Sequence, residues 1–404
     1  MAIGGSLWIQ WKEYDMKIVF VSNYLNGHQT EFCQDMYKKE NIEFTFLQTQ
    51  QMDEERIKLG WKLDTAEYNY FKEYAAMSDI DIEDLFETAD VIILGDSKID
   101  ILKYSLKKNV LILFYRERLF KEKRIFSRLR FIKFWYEYVF RYRKYETAVL
   151  CASAYASADF SKIKAFNNRK FKWGYFPQFI EYDINKLMNK KQNNAIAKIL
   201  WVGRLIDWKC CVDVVELAKR LKEDNIEFRL NIVGTGVLEK EIGEYIKKLN
   251  LNDCVVLEGS CPQTQVRTYM EQSNILVITS NHKEGWGAVV NEAMNSGCTV
   301  IGSHAVGSVP FLIEHEKNGL IYKCRDIDDL YTCVRKCLDN PDFVEEMGYN
   351  AYFTIKNIWN ADNASNKLIQ LIKYLNKQEK ALKSEKGPCS VASFLDDFWF
   401  GEIR

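Results

Sequence analysis

The chain has 404 residues, more than one ordinary hydrophobic core holds, so two α/β domains are the natural expectation. Hydrophobic residues make up 47% of the chain and charged residues 28%, which are the proportions of a globular protein and exclude an intrinsically disordered one. The 56 basic and 56 acidic residues cancel, so the overall charge points to neither a nucleic acid nor a membrane as partner.

Cysteine usage and hydropathy bear on the cellular compartment. The eleven cysteines show no C-x-x-C pair and no zinc-type spacing with histidine, so they are predicted to be packed, reduced thiols. No apolar run reaches the roughly 20 residues that a membrane span needs. Residues 1–15 lack the pattern of a signal peptide and are interpreted as an extension. These features predict a cytoplasmic protein.

In the first half of the chain, short apolar runs alternate with longer amphipathic stretches, which is typical of parallel βαβ units. The pattern predicts a doubly wound domain over residues 16–185, followed by a Lys/Asn-rich linker over residues 186–197. The predicted strands are Lys17–Ser22, Glu43–Leu47, Val91–Gly95, Val110–Tyr115, Ala148–Ala152 and Lys172–Phe176.

The same alternation restarts after the linker and predicts a second doubly wound domain over residues 198–360. A helix over residues 361–378 is expected to pack back on the first domain, and residues 379–404 are interpreted as a second extension. Ligands of such domains bind at the carboxyl ends of the strands, here facing a central cleft. The predicted strands are Lys198–Gly203, Phe228–Val233, Cys254–Leu257, Ile275–Thr279, Thr299–Gly302 and Gly319–Tyr322; the helices between them include Cys211–Glu223, Leu238–Leu249 and Ala288–Ser296.

Two glycine-containing turns follow the first two of these strands. After Lys198–Val202, Gly203 lets the backbone approach a ligand, and Arg204 and Lys209 supply two cations from one loop, as a diphosphate requires. A solvated charged loop is the alternative interpretation. After the next strand, Gly234 and Thr235 permit close approach of a base or ribose, although an ordinary turn explains them equally well.

The strongest motif is Glu284-Gly285-Trp286-Gly287, with a second glutamate, Glu292, eight residues after the first. The loop amides and the start of the following helix predict an anion site for phosphates. Glu292, placed two turns into that helix, is predicted to bind a ribose diol, and Glu284 to reach sugar hydroxyls. Surface decoration is the alternative for either glutamate, but the apolar neighbours of Glu292 favour a buried carboxylate with a partner.

This block resembles the E-x7-E motif of the family-four retaining glycosyltransferases. The later segments Gly307-Ser308-Val309-Pro310 and Asn318-Gly319 resemble the rest of that family's pattern, and the similarity spans residues 198–355. The resemblance implies a GT-B fold, a nucleotide-diphospho-sugar donor in the second domain, and retention of anomeric configuration. It also implies that Arg204 and Lys209 neutralise the diphosphate, that Glu284, with Gly285–Gly287, binds the donor sugar, that Glu292 binds the ribose, and that Gly234 and Thr235 line the nucleoside pocket.

The first domain carries fewer signals. Gly27 follows the first strand, where members of the family place a glycine-rich loop near the donor phosphates. Family members commonly place a catalytic His or Asp after the fourth or fifth strand, but here the segment holds Glu117 and no histidine. Glu117 is therefore the candidate to orient or deprotonate the acceptor hydroxyl, with Asp96 and His28 as secondary candidates, although a structural role fits each of them at least as well.

Metal ions and other cofactors are not expected. The two D-x-D sequences, Asp79-Ile80-Asp81 and Asp326-Ile327-Asp328, precede helical stretches and are interpreted as helix N-caps. The cations of the second domain are expected to stabilise the departing diphosphate.

The segment Arg116–Lys144 is strongly basic, with eleven Lys or Arg against three Glu, and aromatic residues lie between the cations. A helix of this composition docks on anionic lipid headgroups, at about 1 kcal/mol per cation near the surface. Nucleic acid is a poorer partner because no RNA- or DNA-binding motif accompanies the charge. A solvated face over a packed helix remains the alternative. The membrane interpretation predicts a peripheral protein at the inner membrane face.

Together these features predict a retaining glycosyltransferase of polysaccharide biosynthesis, using a UDP-linked donor and a glycan or lipid-linked acceptor. Two alternatives stay open: another GT-B enzyme, such as a nucleotide-sugar epimerase or an inverting transferase, and a non-catalytic, membrane-associated partner of a polysaccharide synthase.

Overall fold

A computed structural model describes residues 15–54, 57, 63–121, 127–193 and 196–402. Two parallel β-sheets, of seven and six strands, form the centres of the two halves of the described chain. Residues 1–14, nearly all of the predicted N-terminal extension, lie outside the described residues. Within the described part, no helix combines the length and the apolar character that crossing a membrane requires.

The first sheet has the strand order β3-β2-β1-β4-β5-β6-β7, and all its pairings are parallel. The sequence missed β3, which has only three residues, and placed β7 too late. The segment Trp173–Phe176 follows β7 and turns toward the second half, where the ring of Trp286 leaves no room for a side chain at Gly174. The strands are β1 (Met16–Ser22), β2 (Ile42–Gln48), β3 (Phe71–Glu73), β4 (Val91–Leu94), β5 (Leu111–Arg116), β6 (Glu146–Cys151) and β7 (Lys170–Lys172).

The helices of the first half cover both faces of this sheet, so its central strands are apolar throughout: every residue of β4 is buried. The predicted basic helix is not one continuous α-helix. Its described part consists of the end of β5, a loop, a nine-residue α-helix and a π-helix over Tyr136–Phe140. The α-helices are α1 (Thr30–Lys38), α2 (Asp79–Thr88), α3 (Ser127–Trp135) and α4 (Ala156–Lys162).

The second sheet has the strand order β10-β9-β8-β11-β12-β13, again all parallel. Its strands are β8 (Ala197–Val202), β9 (Phe228–Val233), β10 (Val255–Gly259), β11 (Ile275–Ile278), β12 (Thr299–Ser303) and β13 (Gly319–Tyr322). The helices are α5 (Ile184–Gln192), α6 (Cys211–Glu223), α7 (Glu239–Lys248), α8 (Gln263–Gln272), α9 (Val289–Asn295), α10 (Val309–Leu312), α11 (Ile327–Leu338), α12 (Pro341–Asn357) and α13 (Ala361–Leu375).

The polar segment interpreted as a linker is helical over most of its length. Helix α5 spans Ile184–Gln192 and packs against α12. Lys191 is buried, and its ammonium donates to the carbonyls of Met270 (2.9 Å) and Ser273 (2.6 Å). A lysine is rarely buried, and only the tertiary structure supplies the carbonyls that permit it here.

The C-terminal part of the chain returns to the first half. Helix α13 packs against α1, and Lys39 forms an ion pair with Asp362 at 3.5 Å. Residues 389–392 then lie against the edge strand β7 with antiparallel bridging between Phe171 and Val391. This order was not expected, since the sequence after Gln378 shows no periodicity and the pairing depends on an edge strand that is distant along the chain.

The two D-x-D sequences both occupy helix N-termini. Asp326 is the N-cap of α11 and accepts a hydrogen bond from the backbone N–H of Asp329 (3.1 Å). At α2 the cap is Ser78, one residue earlier than the sequence suggested, and its hydroxyl accepts from the N–H of Asp81 (3.2 Å). Among the described residues, no group of three or more His, Cys, Asp or Glu side chains is arranged to hold a metal ion.

Candidate active site

The loops after β8 and β9 are joined backbone to backbone. The N–H of Gly203 donates to the carbonyl of Val233 (3.0 Å), and that of Leu205 to the carbonyl of Thr235 (2.8 Å). Gly234 has φ of +133°, and a Cβ atom there would lie 1.9 Å from the Gly203 carbonyl oxygen. The close approach that requires glycine at this position is therefore made by the neighbouring loop, and it is not evidence for a base or ribose.

The two cations of the first motif lie around one indole ring. The Arg204 side chain is exposed, with its guanidinium carbon 5.9 Å from the centre of the Trp208 ring, and Lys209 Nζ is 4.5 Å from the same ring. Lys209 also forms an ion pair with Glu284, and both side chains are largely buried, 14% and 10% exposed. The structure thus brings together a cation and a carboxylate that lie far apart in the sequence.

Glu284 is fixed by its own loop as well as by this ion pair. The Ser280 hydroxyl donates to Glu284 Oε2 at 2.9 Å, and the backbone N–H of Glu284 donates to the carbonyl of Asn281 at 3.0 Å. The loop is tied to the Lys209 turn, because Asn281 N–H donates to the Trp208 carbonyl (3.0 Å). The carboxylate therefore has a defined position at the carboxyl end of β11.

Trp286, which was predicted to bind the donor, lies in the hydrophobic core. Its side chain is 1% exposed, and the indole Nε1 donates to Asn291 Oδ1 at 2.8 Å. The ring lies 5.9 Å from that of Trp359 and packs in the core. The backbone carbonyl of Trp286 accepts a hydrogen bond from the N–H of Ser308 at 3.0 Å. The neighbouring Gly287 has φ of +86°, a left-handed conformation that favours glycine.

The first half contributes Glu117, which lies directly after β5 and reaches across to the glutamate loop. A Cβ atom at Gly285 would lie 1.8 Å from Glu117 Oε2, so the carboxylate rests on the backbone of that glycine. Tyr175 donates its hydroxyl to Glu117 Oε1 at 2.6 Å, and Lys121 forms an ion pair with the other oxygen. Glu117 therefore lies in the cleft, next to the loop that carries Glu284.

Tyr175 and His28 form the floor of this part of the cleft. Their rings are stacked, with centroids 5.8 Å apart and planes 4° apart. Burial raises the pKa of Tyr175, and the charges of Glu117 and Glu284 raise it further. Burial lowers the pKa of His28, while the charge of Glu292 acts in the opposite direction. His28 is therefore a neutral, buried ring within electrostatic reach of Glu292.

Glu292 lies in the first turn of α9, not two turns in, because the helix begins only at Val289. The carboxylate is half-buried and Oε1 accepts a hydrogen bond from Gln263 Nε2 at 3.0 Å. The helix has seven residues, so its dipole contributes little to binding an anion. The carboxylate itself, at the edge of the cleft facing His28, is the stronger feature.

Gly27 and Asp96, the other residues predicted for the first half of the site, have different surroundings. A Cβ atom at Gly27 would meet no atom within 4 Å, so the loop after β1 leaves open space beside it. Asp96 is exposed after β4, and no hydrogen bond or ion pair joins it to Glu117 among the described residues. The structure therefore groups Glu117, His28 and Gly27 at the cleft and gives Asp96 no contact with them.

Sequence reasoning missed Tyr175, Ser280 and Asn291. Tyr175 follows β7, and the rule that ligands lie at the carboxyl ends of parallel strands could have found it had β7 been placed correctly. Asn291, whose side chain joins the Trp286 ring to the Tyr175 carbonyl (3.3 Å), has no signal in the sequence beyond lying within the motif.

Comparison with known proteins identifies what the second half of the chain is similar to. Residues 183–354 match the family model described as "Glycosyl transferases group 1". The amylovoran biosynthesis glycosyltransferase AmsK of Erwinia amylovora is 33% identical over 139 residues, which are 32% of this chain and 34% of that protein. The putative colanic acid biosynthesis glycosyltransferase WcaL of Escherichia coli K12 is 28% identical over 127 residues, 30% of this chain and 31% of that one. The chain thus spans about a third of the length of the curated relatives it matches.

Among solved structures, Anabaena HepE in complex with UDP superimposes with a TM-score of 0.66 at 15% identity, covering 89% of this chain and 100% of that one. At this identity the likeness shows the fold alone. Two Rossmann-like domains with parallel sheets, facing a central cleft, form the GT-B fold.

Proposed function

We propose that the chain is a retaining glycosyltransferase, in which residues 183–354, the part that matches the glycosyl transferases group 1 model, bind the donor. Its donor is a nucleotide-diphospho-sugar, most simply a UDP-linked one, since HepE of the same fold binds UDP. Its acceptor is a glycan or a lipid-linked glycan in polysaccharide biosynthesis, as the names of the relatives suggest.

One observation carries the proposal. The carboxylate of Glu117 from the first domain rests on Gly285 of the second domain, beside the Lys209–Glu284 ion pair. In the proposal, Lys209 is the cation for the leaving phosphate, Glu284 the carboxylate for sugar hydroxyls and Glu117 the carboxylate for the acceptor hydroxyl. Bringing donor and acceptor together in defined positions is the main task of a group-transfer enzyme.

The leaving group is stabilised by Arg204 and Lys209. As the bond between sugar and diphosphate breaks, negative charge grows on the phosphate oxygens, and cations already in place lower the barrier. Arg204 is exposed, and a guanidinium has the planar geometry to bind two phosphate oxygens at once. Lys209 interacts with Glu284 in the structure, so donor binding requires its ammonium to exchange part of that contact for phosphate.

Once Lys209 binds phosphate, Glu284 can accept hydrogen bonds from hydroxyls of the transferred sugar. The hydrogen bond from the Ser280 hydroxyl to Glu284 remains. Glu292 accepts hydrogen bonds from the ribose, and the neutral ring of His28 lies nearby without adding a competing positive charge. Open space beside Gly27 accommodates the phosphates.

Glu117 orients the acceptor hydroxyl and takes its proton. Tyr175 and Lys121 hold its two oxygens, so the carboxylate has a fixed direction before the acceptor arrives. Substitution on the same face of the sugar, through an oxocarbenium-like state, retains the anomeric configuration. Because Arg204 and Lys209 supply the positive charge, the proposal includes no metal ion and no other cofactor.

A peripheral site at the inner membrane face is the second part of the proposal, and the structure narrows the surface involved. Arg116 donates to the Leu94 carbonyl (2.6 Å), Arg118 forms a buried ion pair with Asp159, and the partly exposed Arg141 pairs with Asp100. These cations are not available to a membrane. The basic segment of the sequence therefore overstates the charge that faces outward.

Among the described residues of the segment, five exposed side chains on α3 and at its C-terminal end form what we call the α3 patch: Arg128, Leu129, Ile132, Lys133 and Tyr136. Leu129 is 67% exposed and Ile132 60%, which is unusual for aliphatic side chains. Cations beside exposed apolar groups match an anionic lipid surface, which takes the charge at the headgroups and the apolar groups just below them. A lipid-linked acceptor bound near α3 would then approach the cleft on the side of Glu117, because Glu117 lies between β5 and α3 along the chain.

Vesicle sedimentation tests the patch. We expect the protein to sediment with anionic but not neutral vesicles, with partial release at high salt because screening sets in over about 8 Å at physiological ionic strength. The double variant Arg128→Glu/Lys133→Glu should lose binding, whereas the control Lys186→Glu/Lys240→Glu, with two exposed cations elsewhere, should keep it. Equal binding to both kinds of vesicle, or to neither, would show that α3 is only a packed helix with a solvated face.

The enzymatic proposal is tested by incubating the purified protein with a panel of nucleotide sugars and following slow donor hydrolysis. The anomeric configuration of the released sugar, read by NMR at early times, separates retention from inversion. An interconverted nucleotide sugar without release would identify an epimerase instead. No consumption and no nucleotide binding by any member of the panel would favour a non-catalytic partner of a synthase.

A further inference from the structure

The C-terminal strap, residues 387–402, is anchored to the edge of the first sheet. The N–H of Cys389 donates to the carbonyl of Lys172 (2.7 Å), and that of Lys172 donates to the carbonyl of Ser390 (2.7 Å). Ala392 continues the pairing, and its carbonyl accepts from the Ser157 hydroxyl at 2.9 Å. These bonds fix the register of the strap, so the residues after Ala392 leave the sheet from a defined point.

From there the strap crosses to the second domain. Asp397 Oδ1 accepts a hydrogen bond from Arg118 Nη1 (3.0 Å) and lies 3.3 Å from His282 Nδ1. Arg118 is itself buried against Asp159 at 3.6 Å and belongs to the first domain. His282 belongs to the second and precedes Glu284 by two residues. Asp397 therefore joins one side chain from each side of the cleft.

The end of the strap is held at the same place by aromatic contacts. Trp399 Nε1 donates to the Tyr155 hydroxyl at 2.9 Å, and that hydroxyl donates to the carbonyl of His304. The ring of Phe400 stacks on that of His304, with centroids 5.0 Å apart. Because Tyr155 lies in the first domain and His304 follows β12 in the second, these contacts keep Asp397 beside His282.

We propose that Asp397 is a positioning residue of the active site: it holds His282, and through it the loop that carries Glu284, against Arg118 of the first domain. The inference rests on the proposed function, because it assigns the strap a role at the same cleft. Glu284 must exchange Lys209 for donor phosphate without leaving its place, and a loop anchored at His282 limits that movement.

The electrostatics support an ionised Asp397. Burial alone would raise the pKa of its carboxyl, but the charge and hydrogen bond of Arg118, with a smaller contribution from His282, leave it lowered. A carboxylate between a guanidinium and an imidazole gives a stronger and more directional link than a neutral amide would.

The matched variants are Asp397→Asn, which keeps size and an acceptor oxygen but removes the charge, Asp397→Glu, which restores the charge, and Asp396→Asn as the control. Asp396 is the neighbouring carboxylate, and it accepts only a local hydrogen bond from the N–H of Phe398 among the contacts described. Hydrogen exchange of the segment 279–287, the melting temperature, and kcat and KM for the donor are measured on all of them.

We expect Asp397→Asn to speed exchange in residues 279–287 and to lower kcat about 10-fold, with the melting temperature unchanged, while Asp397→Glu recovers part of the loss. Unchanged exchange in this segment would overturn the proposal. Faster exchange with wild-type kcat and KM would overturn the positioning role and show that the strap has a structural role only. A wild-type protein that turns over no donor would count against the proposed function, and the exchange data would then decide by themselves whether Asp397 holds the loop.

Discussion

The two sides of the cleft are built in different ways. The second-domain side takes most of its residues from one short segment, Ser280–Glu292, with Lys209 added from a neighbouring strand end. The first-domain side combines His28, Glu117 and Tyr175, which follow three different strands and meet only through a ring stack and one hydrogen bond. A site contained in one segment leaves a motif in the sequence, whereas a site assembled from separate strand ends does not.

The largest expected effect concerns the cations of the second side. Lys209→Ala and Arg204→Ala should each lower turnover at least about 100-fold, because the charge on the leaving diphosphate is stabilised mainly in the transition state. Only Lys209→Ala should also lower the free energy of unfolding, since it leaves the buried Glu284 without its cation. Steady-state kinetics and thermal unfolding measure both, with Lys219→Ala, from an exposed ion pair, as control. Wild-type turnover in both variants would mean that the loop is only a solvated turn.

Glu117 tests the first side. Glu117→Gln keeps an acceptor for the Tyr175 hydroxyl but removes the base, so transfer to acceptor should fall about 100-fold. UDP affinity, measured by calorimetry, should stay the same because Glu117 is assigned to the acceptor and not to the nucleotide. Glu137→Gln, which alters an ion pair on the π-helix, is the matched control. A parallel loss of UDP affinity would place Glu117 in the donor site instead.

Glu292 should have a smaller effect, confined to binding. Glu292→Gln should weaken UDP binding by about 1–3 kcal/mol through loss of a charged hydrogen bond to the ribose. Because the carboxylate is half-buried and its side-chain hydrogen bond within the described residues comes from Gln263, folding should be unaffected. Calorimetry with UDP gives the affinity, with the exposed Glu241→Gln as control. Unchanged affinity in a folded variant contradicts the assignment.

The last comparison concerns the stability effects of substituting two glycines, Gly234 and Gly27, each of which follows a predicted strand. Gly234→Ala should destabilise the fold by about 1–3 kcal/mol, because its φ of +133° and the Gly203 carbonyl both exclude a side chain. Gly27→Ala should change stability by less than about 0.5 kcal/mol, since a Cβ atom there meets nothing. Urea unfolding of both variants makes the comparison. If Gly27→Ala also leaves UDP affinity unchanged, the open space beside it does not hold the phosphates.

Much of the fold could be predicted from periodicity alone. The strand Phe228–Val233 and the helix Cys211–Glu223 have the predicted bounds, because an apolar run or an amphipathic stretch bounded by polar residues carries its own signal. The sequence missed the three-residue strand β3, and the bounds predicted for β7 were too late, because strands this short depend on pairing with a neighbour. The burial of Lys191 has no local signal either, because it depends on the carbonyls of Met270 and Ser273, which lie about 80 residues away along the chain.

The sequence by itself determined the class of fold, the second-domain motif and the two glutamates that the structure places at the cleft. These depend on local order: apolar periodicity along each element, and functional residues spaced within one loop and one helix. Only the tertiary structure decided that Trp286 is a core residue, that the neighbouring loop leaves no room for a side chain at Gly234, and that Tyr175 hydrogen-bonds Glu117. It also decided that Asp397, near the end of the chain, joins Arg118 to His282. Contacts between residues distant along the chain arise from packing, and no local pattern encodes them.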